Sequence, residues 1–493
     1  MVAEYSVGTT VSFLVGNSIA AYSISISLFM LGMGLGAFVS QYFADKRELQ
    51  AFLFVECALS ITSAGSTLFI VQAAYLDLAW EATIFVALLI GLLIGFEIPL
   101  LSRFNEKRNI VLKHNIAVVF GADYLGSFLA GIAYSMFLLP SLGVVFTPVF
   151  SGMINLLIAL LLGVFFLRRM PAFWLVGFAL FSAGSIAFIW LQGQQIFLTA
   201  EQRLYMDPIV YTEQSSYQRI VITKVADGHC LYLDGGTQFC SYDESRYHEL
   251  LVHPAFYLNQ EARKVLILGG GDGLATREVL KYDSVQEITV VDLDPAMTKL
   301  ARQHPVLTSL NEHSFRDTRV EVINADAFEW LQEDNRLWDI VVVDLPDPRR
   351  VELAKLYSSE FYRMARNHLQ DDGIMAVQST SPIHANNVFV MIWHTISQSG
   401  LHVVPYRINV PSFGDWGFQL AVRDTYHSTV DIKAKLDEFE ELVPLKVLNK
   451  QTMQAAIRFE KGIFPEDLST LQMNRLLDPI IFEAYKKAWR KIP

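Results

Sequence analysis

Val265-Leu-Ile-Leu-Gly-Gly-Gly-Asp-Gly-Leu-Ala-Thr-Arg-Glu-Val-Leu280 reads as a short apolar strand, a glycine turn and the opening of a helix. Gly269, Gly270, Gly271 and Gly273 let the backbone turn sharply and approach a ligand without a Cβ in the way. A second strand, 288–291, ends in Asp292, about 20 residues further on, where a nucleotide-binding fold places the carboxylate that grips a ribose. The unusual residue is Asp272, inside the turn. A carboxylate there repels a phosphate, so the expected ligand is a nucleoside whose tail is cationic.

Outward from this stretch, strands 265–268, 288–291, 319–323, 339–343 and 373–378 alternate with helical segments. That alternation predicts a doubly wound, Rossmann-like (methyltransferase-like) parallel sheet over 263–425. Before it, Gln218-Arg-Ile-Val-Ile-Thr223, Cys230-Leu-Tyr-Leu-Asp234 and Thr237-Gln-Phe239, separated by Asp-Gly and Gly-Gly turns, predict a small β meander within 205–262. Residues 426–493 read as a helical tail. Cys57, Cys230 and Cys240 give no disulfide framework and no metal-ligand spacing; Cys230 and Cys240 could face one another across a hairpin, but free thiols are the expectation.

The first 191 residues have another texture. Of 493 residues 52% are hydrophobic, and the apolar excess lies at this end. About six runs, near 22–43, 51–75, 80–102, 116–139, 143–167 and 172–191, are long enough to cross a bilayer, which predicts an α-helical transmembrane bundle in contact with lipid. Small residues recur in Gly32-Met-Gly-Leu-Gly36 and from Gly121 to Gly131, a pattern that lets helices pack closely in lipid. The chain opens with Glu4 and an amphipathic stretch to Gly16, as though a helix had been cut short. Glu56, Glu97 and Asp123 fall at apparent membrane depth, where a carboxylate bonds to a neighbouring helix or lies close enough to the interface to be wet; the other reading is a cation path lined by Glu97 and Asp123.

Lys46, Arg47, Arg103, Lys107, Arg108, Lys113, Arg168 and Arg169 all fall in loops on one side, and the alternate loops near 76–79 and 140–142 carry no Lys or Arg. The positive-inside rule makes the first set cytoplasmic. A spanning 172–191 then puts the remainder of the chain outside the cytoplasm, whereas a nucleoside substrate points to the cytoplasm. The expectation favours a multi-pass protein of the cell (inner) membrane with a cytoplasmic C-terminal part, 172–191 lying in the interface. Residues 1–191 hold nine acidic and eight basic residues, leaving 41 and 31 for the rest and placing nearly all of the net charge of −11 there. An acidic domain argues against nucleic acid as a partner and suits a cationic substrate.

In an open α/β sheet the ligand lies at the carboxyl ends of the strands. Those ends carry Asp272, Asp292, Asp326, Asp344 and Asp347, five carboxylates and no lysine. One Asp alone is an ordinary helix cap or turn residue. Five together read as a polyamine-like cation site that includes a base.

At this point the sequence resembles the spermidine synthases (polyamine aminopropyltransferases), over about 205–425. The matching segments include Tyr217-Gln218, Leu233-Asp-Gly-Gly-Thr-Gln238, Asp243-Glu-Ser-Arg-Tyr-His-Glu249 and Gly269-Gly-Gly-Asp-Gly273. They continue with Arg277-Glu-Val-Leu280, Val290-Val-Asp-Leu-Asp294, Asp326-Ala327, Asp344-Leu-Pro-Asp-Pro348 and Val410-Pro-Ser-Phe-Gly-Asp-Trp-Gly-Phe418. The hydrophobic front end is similar to a bacterial branch in which a multi-span domain is fused to the synthase.

The resemblance implies transfer of an aminopropyl group from decarboxylated S-adenosylmethionine, a co-substrate, to a diamine such as putrescine; no bound cofactor or metal is implied, and a homo-oligomer is expected. It makes Asp344 the general base. Asp272 grips the amine of the aminopropyl tail, Asp292 the ribose and Asp326, beside Ala327, the adenine. Gln218, Gln238 and His248 flank the nucleoside with Gly269 and Gly271, while Tyr247, Asp347 and Phe413 hold the diamine. Three departures stand out: Asp292 replaces the usual Glu, Arg349-Arg-Val follows Asp347-Pro348 in place of Gly-Pro, and Phe413 stands in a shortened loop where a Tyr is usual. Two rivals remain, an S-adenosylmethionine-dependent methyltransferase and a membrane transporter or sensor whose synthase-like domain only binds polyamine. Asp272 speaks against the first, since it would face a methionyl carboxylate.

Overall fold

The computed structural model describes residues 1–15, 18–42, 48–74, 76, 78–106, 112–165, 172–423, 429–467 and 471–489. Lys46, Arg47, Lys107, Arg108, Arg168 and Arg169 lie outside the described residues. The chain forms two compact units, Met1–Pro208 and Ile209–Pro493.

The first unit is helical: α1 (Val2–Val15), α2 (Ser18–Val39), α3 (Glu48–Ala74), α4 (Ala79–Glu106), α5 (Leu112–Ala133), α6 (Leu139–Phe165) and α7 (Ala172–Gln202). Among the described residues five helical runs are long and apolar enough to cross a membrane: Ala20–Tyr42, Glu48–Ala74, Ala79–Glu106, Lys113–Phe165 and Val176–Gln202. The fourth has 53 residues, about 80 Å of helix against a ~30 Å hydrocarbon core. It is broken at Gly143, whose φ of +69° is outside the helical range. The segment expected at 172–191 continues to Gln202 as one helix.

The glycines of α2 meet those of α4. A Cβ on Gly32 would stand 2.7 Å from Leu88 O, and one on Gly91 2.5 Å from Phe29 O, so these helices touch backbone to backbone as the sequence pattern requires. The second expected stripe does not behave this way. Gly121 and Gly126 face open space and Gly131 meets only the Tyr5 ring, so α5 is not packed through its glycines within the chain.

The second unit begins with an antiparallel meander, β1 (Ile209–Gln214), β2 (Arg219–Val225), β3 (Gly228–Leu233) and β4 (Gly236–Cys240). The β3–β4 turn has φ of 48° at Asp234 and 76° at Gly235, the two positive values that a tight hairpin matching strand twist demands. Cys230 and Cys240 pair directly across this hairpin, with Cα atoms 4.1 Å apart, and form a disulfide. The expectation of free thiols is therefore corrected: the spacing of ten residues folds into facing positions on adjacent strands.

Helix α8 (Glu244–Leu258) leads into the large sheet. Its elements are β5 (Lys264–Gly269), α9 (Leu274–Leu280), β6 (Glu287–Asp292), α10 (Pro295–Gln303), α11 (Pro305–Leu310), β7 (Val320–Asn324), α12 (Ala327–Glu333) and β8 (Trp338–Asp344). Then come α13 (Val351–Ala354), α14 (Ser359–Asn367), β9 (Leu369–Gln378), α15 (Asn386–Ser397), β10 (Leu401–Val410) and β11 (Gly414–Arg423). The strand order is β10-β11-β9-β8-β5-β6-β7. Strands β5 to β9 run parallel, and the β10–β11 hairpin joins β9 antiparallel. The sheet is thus mixed, where the sequence predicted only its parallel part. The central strands are apolar on both faces, with Val265 to Leu268 and Ile340 to Val342 fully buried, because helices cover both sides.

The tail forms α16 (Thr429–Asp437), α17 (Lys450–Ala456) and α18 (Ile480–Trp489). Its anchors are specific: Glu249, fully buried on α8, accepts the backbone N–H groups of Lys446, Val447 and Leu448 at 2.7, 2.9 and 2.8 Å.

Candidate active site

The site is built on strand ends. Gly269 pairs in register with Asp344 across β5 and β8, and a Cβ on Gly269 would collide with the Asp344 carbonyl. Its φ of +85° adds a second reason for glycine there. Gly271 lies against Asp292: its N–H donates to Asp292 Oδ2 at 3.1 Å, and a Cβ would stand 2.5 Å from that oxygen. Asp272 Oδ1 accepts the N–H of Leu274 at 2.8 Å, which opens α9, while Asn311 Nδ2 donates to the Asp272 carbonyl at 2.8 Å.

Burial dominates the electrostatics. It lifts the Asp292 carboxyl to about 7, with Asp294 and Asp272 adding to it. It raises Asp272, against the pull of His248. Asp344 rises to about 6 for the same reason, with His248 opposing and Asp272 assisting. The Tyr247 hydroxyl donates to Asp344 Oδ1 at 2.6 Å, fixing the carboxylate at the end of β8.

His248 is 2% exposed, and burial works to discharge its ring; Glu244, with Asp272 and Asp344 in reach, holds it up at about 9. Its Nδ1 lies 2.9 Å from Glu244 Oε2. Beneath is a buried ionic array that sequence reasoning passed over. Arg277 forks onto Glu244 through Nη1–Oε1 at 3.0 Å and Nη2–Oε2 at 2.9 Å, and its Nε donates to Glu278 Oε1 at 2.8 Å. Glu278 also meets His253 at 2.7 Å. Although burial opposes it, His248 and Arg277 hold Glu244 down at about 2. Arg277-Glu278 and Glu244 were quoted as motif residues but given no role, because neither spacing nor residue type shows that they pair across 33 positions.

Other expected residues sort by neighbourhood. Asp347 is 7% exposed and is held by Thr380 Oγ1 at 3.0 Å and Gln378 Nε2 at 3.4 Å, with Tyr485 of α18 in electrostatic reach. Burial raises its carboxyl, and the charge of Arg349 opposes this. Phe413 packs against Tyr247, ring centroids 6.1 Å apart, and edge-on to Trp416 at 4.7 Å. Its turn is tied down by Asp243, which accepts Ser412 N–H at 2.6 Å and Ser412 Oγ at 3.1 Å. Gln218 donates to Asp294 Oδ2 at 2.9 Å, beside Ser215 Oγ at 2.7 Å. Gln238 Nε2 turns to the Gly236 carbonyl at 3.1 Å.

Two placements differ from expectation. Asp326 caps α12 through Phe328 N–H at 2.8 Å, with Ala327 buried beside it, and its other oxygen meets Lys355 Nζ at 2.5 Å. The carboxylate set therefore contains a lysine, brought 29 positions along the chain by the segment after β8. Arg349 and Arg350 form a strap: Arg350 pairs with Asp234, and the Arg349 guanidinium lies on Gly236 where a Cβ would sit. That accounts for the departure from Gly-Pro, since two cations here lean on the turn of the meander.

The Spermine/spermidine synthase domain profile matches residues 244–434. The polyamine aminopropyltransferase of Oceanobacillus iheyensis is 37% identical over 99% of this chain and 94% of its own length. The chain belongs to the polyamine aminopropyltransferase family. Polyamine aminopropyltransferase 1 of Streptomyces coelicolor is 38% identical over 99% of this chain and 92% of its own. A solved spermidine synthase from Thermotoga maritima is 28% identical, covering 52% of this chain and 86% of its own with a TM-score of 0.47. As a member of this family the protein is an enzyme, an aminopropyltransferase, and the relatives' match extends through the helical unit as well as the sheet.

Proposed function

We propose that the second unit transfers the aminopropyl group of decarboxylated S-adenosylmethionine to a diamine such as putrescine, giving spermidine and methylthioadenosine. The diamine nitrogen attacks the carbon beside the sulfonium; a C–N bond forms, the C–S bond breaks, and the nitrogen's proton passes to Asp344. The observation that carries this reading is the Asp344 carboxylate, half-buried at the end of β8, held by Tyr247 and poised at about 6. A base with that pKa is largely unprotonated at neutral pH and still accepts a proton. Asp272 serves the donor's amine, Asp292 the ribose, and Asp347 with Tyr247 and Phe413 the diamine. The direct test is incubation of the detergent-solubilised protein with decarboxylated S-adenosylmethionine and a panel of diamines, with products identified by mass spectrometry. No product with any diamine would sink the reading.

A methyltransferase is disfavoured by the same geometry, because the buried Asp272 carboxylate would face the carboxylate of intact S-adenosylmethionine. Asp272→Ala is therefore expected to weaken decarboxylated S-adenosylmethionine about ten- to a hundredfold and methylthioadenosine hardly at all, a charge-assisted bond contributing roughly 1.5–3 kcal/mol. Titration calorimetry with both ligands reads the difference. Equal weakening leaves Asp272 as a turn former only.

The pH profile follows from these shifts. Asp344 must be deprotonated, so kcat/KM is expected to fall below pH about 6 as it takes up a proton. Glu244→Gln removes the carboxylate that keeps His248 charged, and with it the cation that holds Asp344 down. The acidic limb then moves to higher pH. A profile identical to wild type separates Glu244 from the site's electrostatics.

The helical unit we read as spanning the cell membrane. The basic residues Lys46, Arg47, Lys107, Arg108, Arg168 and Arg169 argue by the positive-inside rule that the helix ends beside them in sequence face the cytoplasm. The interfacial placement of 172–191 loses its support, since α7 is a single helix of 31 residues, about 46 Å long. The Cys230–Cys240 disulfide is the bond of an oxidising compartment. Both weigh toward a catalytic unit outside the cytoplasm, against the expectation from cofactor supply. A phosphatase reporter fused after Pro493 is expected to be active in the periplasm; activity of a cytoplasm-only reporter at that position would reverse the orientation.

A further inference from the structure

Three carboxylates lie at one level of the helical unit. Glu56 is eight residues from the start of α3, Glu97 nine from the end of α4, and Asp123 eleven from the start of α5. In a bundle that spans the membrane, the start of α3, the end of α4 and the start of α5 fall on one side, and all three distances are counted from it. At 1.5 Å per residue they are about 12, 14 and 16 Å deep, near the middle of a ~30 Å core. Helices α3 and α4 pack together, as do α4 and α5, and Glu97 lies within electrostatic reach of both Glu56 and Asp123.

An independent observation concerns Glu56. Its side chain is 4% exposed, and its Oε2 has no hydrogen-bond partner although it is sealed from solvent. A buried, orphaned carboxylate oxygen in a low-dielectric interior takes up either a proton or a cation. The Met1 ammonium lies within electrostatic reach of Glu97, but no cation acts on Glu56 among the described residues. Among the described residues the Lys and Arg side chains on α2 to α6 are Arg103 and Lys113, both near the loop ends, and Arg103 donates to Ser40 O at 2.7 Å. Nor is the geometry that of a metal site: among the described residues no three carboxylate, His or Cys groups are close enough to share one ion. Separated carboxylates in an apolar bundle fit a cation whose charges are separated too.

We propose that Glu56, Glu97 and Asp123 form an intramembrane site for a linear cation bearing two or more ammonium groups. The carboxylates meet successive ammonium groups, and the apolar faces of α3 and α4 cover the methylenes between them. This deepens the membrane-spanning and diamine reading above and takes its probes from it.

The test is equilibrium binding of radiolabelled putrescine and spermidine to the full chain in detergent. Glu56→Gln and Glu97→Gln are each expected to remove or weaken about tenfold or more one class of site, while the rate of aminopropyl transfer stays at the wild-type value. A large excess of Mg²⁺ is expected to leave that class filled. Binding isotherms of both variants superimposable on wild type would overturn the proposal, as would displacement by equimolar Mg²⁺, or proton uptake that changes in the variants while amine binding does not. Should either variant fail to elute as the wild type does, Asp123→Asn, exposed on α5, takes its place with the same expected result. If the wild type transfers no aminopropyl group yet loses amine binding in the variants, the catalytic reading fails and this one stands.

Discussion

Asp344→Asn is expected to lower kcat for aminopropyl transfer by about 10²-fold or more, the usual contribution of a positioned base. The amide keeps the side chain's volume and its bond from Tyr247, so methylthioadenosine should bind nearly as before. Desolvation and the neighbouring Asp272 both oppose the charge of Asp344, so the neutral variant is expected to fold at least as well as the parent. Stopped-flow turnover and nucleoside titration on the same preparation separate these effects. Activity within a few-fold of wild type would take Asp344 out of the proton transfer and leave positioning as the source of the rate.

Arg277→Met is expected to cost about 3–5 kcal/mol of stability in the second unit, because breaking a buried ion array strands its remaining charges. Glu244 and Glu278 are 3% and 1% exposed and both lean on this guanidinium. The loss should show as reduced hydrogen-exchange protection in β5 and α9, with the helical unit unchanged. Arg277→Lys keeps a charge but not the fork, and should fall between the two. A change below about 1 kcal/mol would mean that water already reaches the array.

These two variants mark what the sequence made visible and what it did not. Asp344 was legible because an apolar run, 339–343, ends in an aspartate, and ligands lie at such ends. The same reasoning found Asp272, Asp292, Asp326 and Asp347. It could not find Arg277 as a partner of Glu244, or Lys355 as a partner of Asp326, because those pairs exist only once helices α8 and α9, and the segment after β8, have folded against one another. The core strands were readable as continuous apolar runs. The β10–β11 hairpin was not, since Pro405, Arg407 and Asn409 interrupt β10 and polar residues at Asp415 and Gln419 interrupt β11. The cysteines erred for a related reason: sequence allowed a facing pair but not its certainty, and only the register of β3 on β4 sets the two Cα atoms 4.1 Å apart.

Tyr485 stands within electrostatic reach of Asp347, and this has a consequence for biosynthesis. Asp347 follows β8 in the middle of the unit, yet this neighbour comes from α18, made long after the parallel strands. A ribosome adding about 5–20 residues per second completes the sheet's parallel half well before α18 emerges from it. On the function proposed above, a nascent chain can form the donor's end of the site early, while the diamine's end waits until translation is nearly over. Aminopropyl transfer is then expected only late in synthesis.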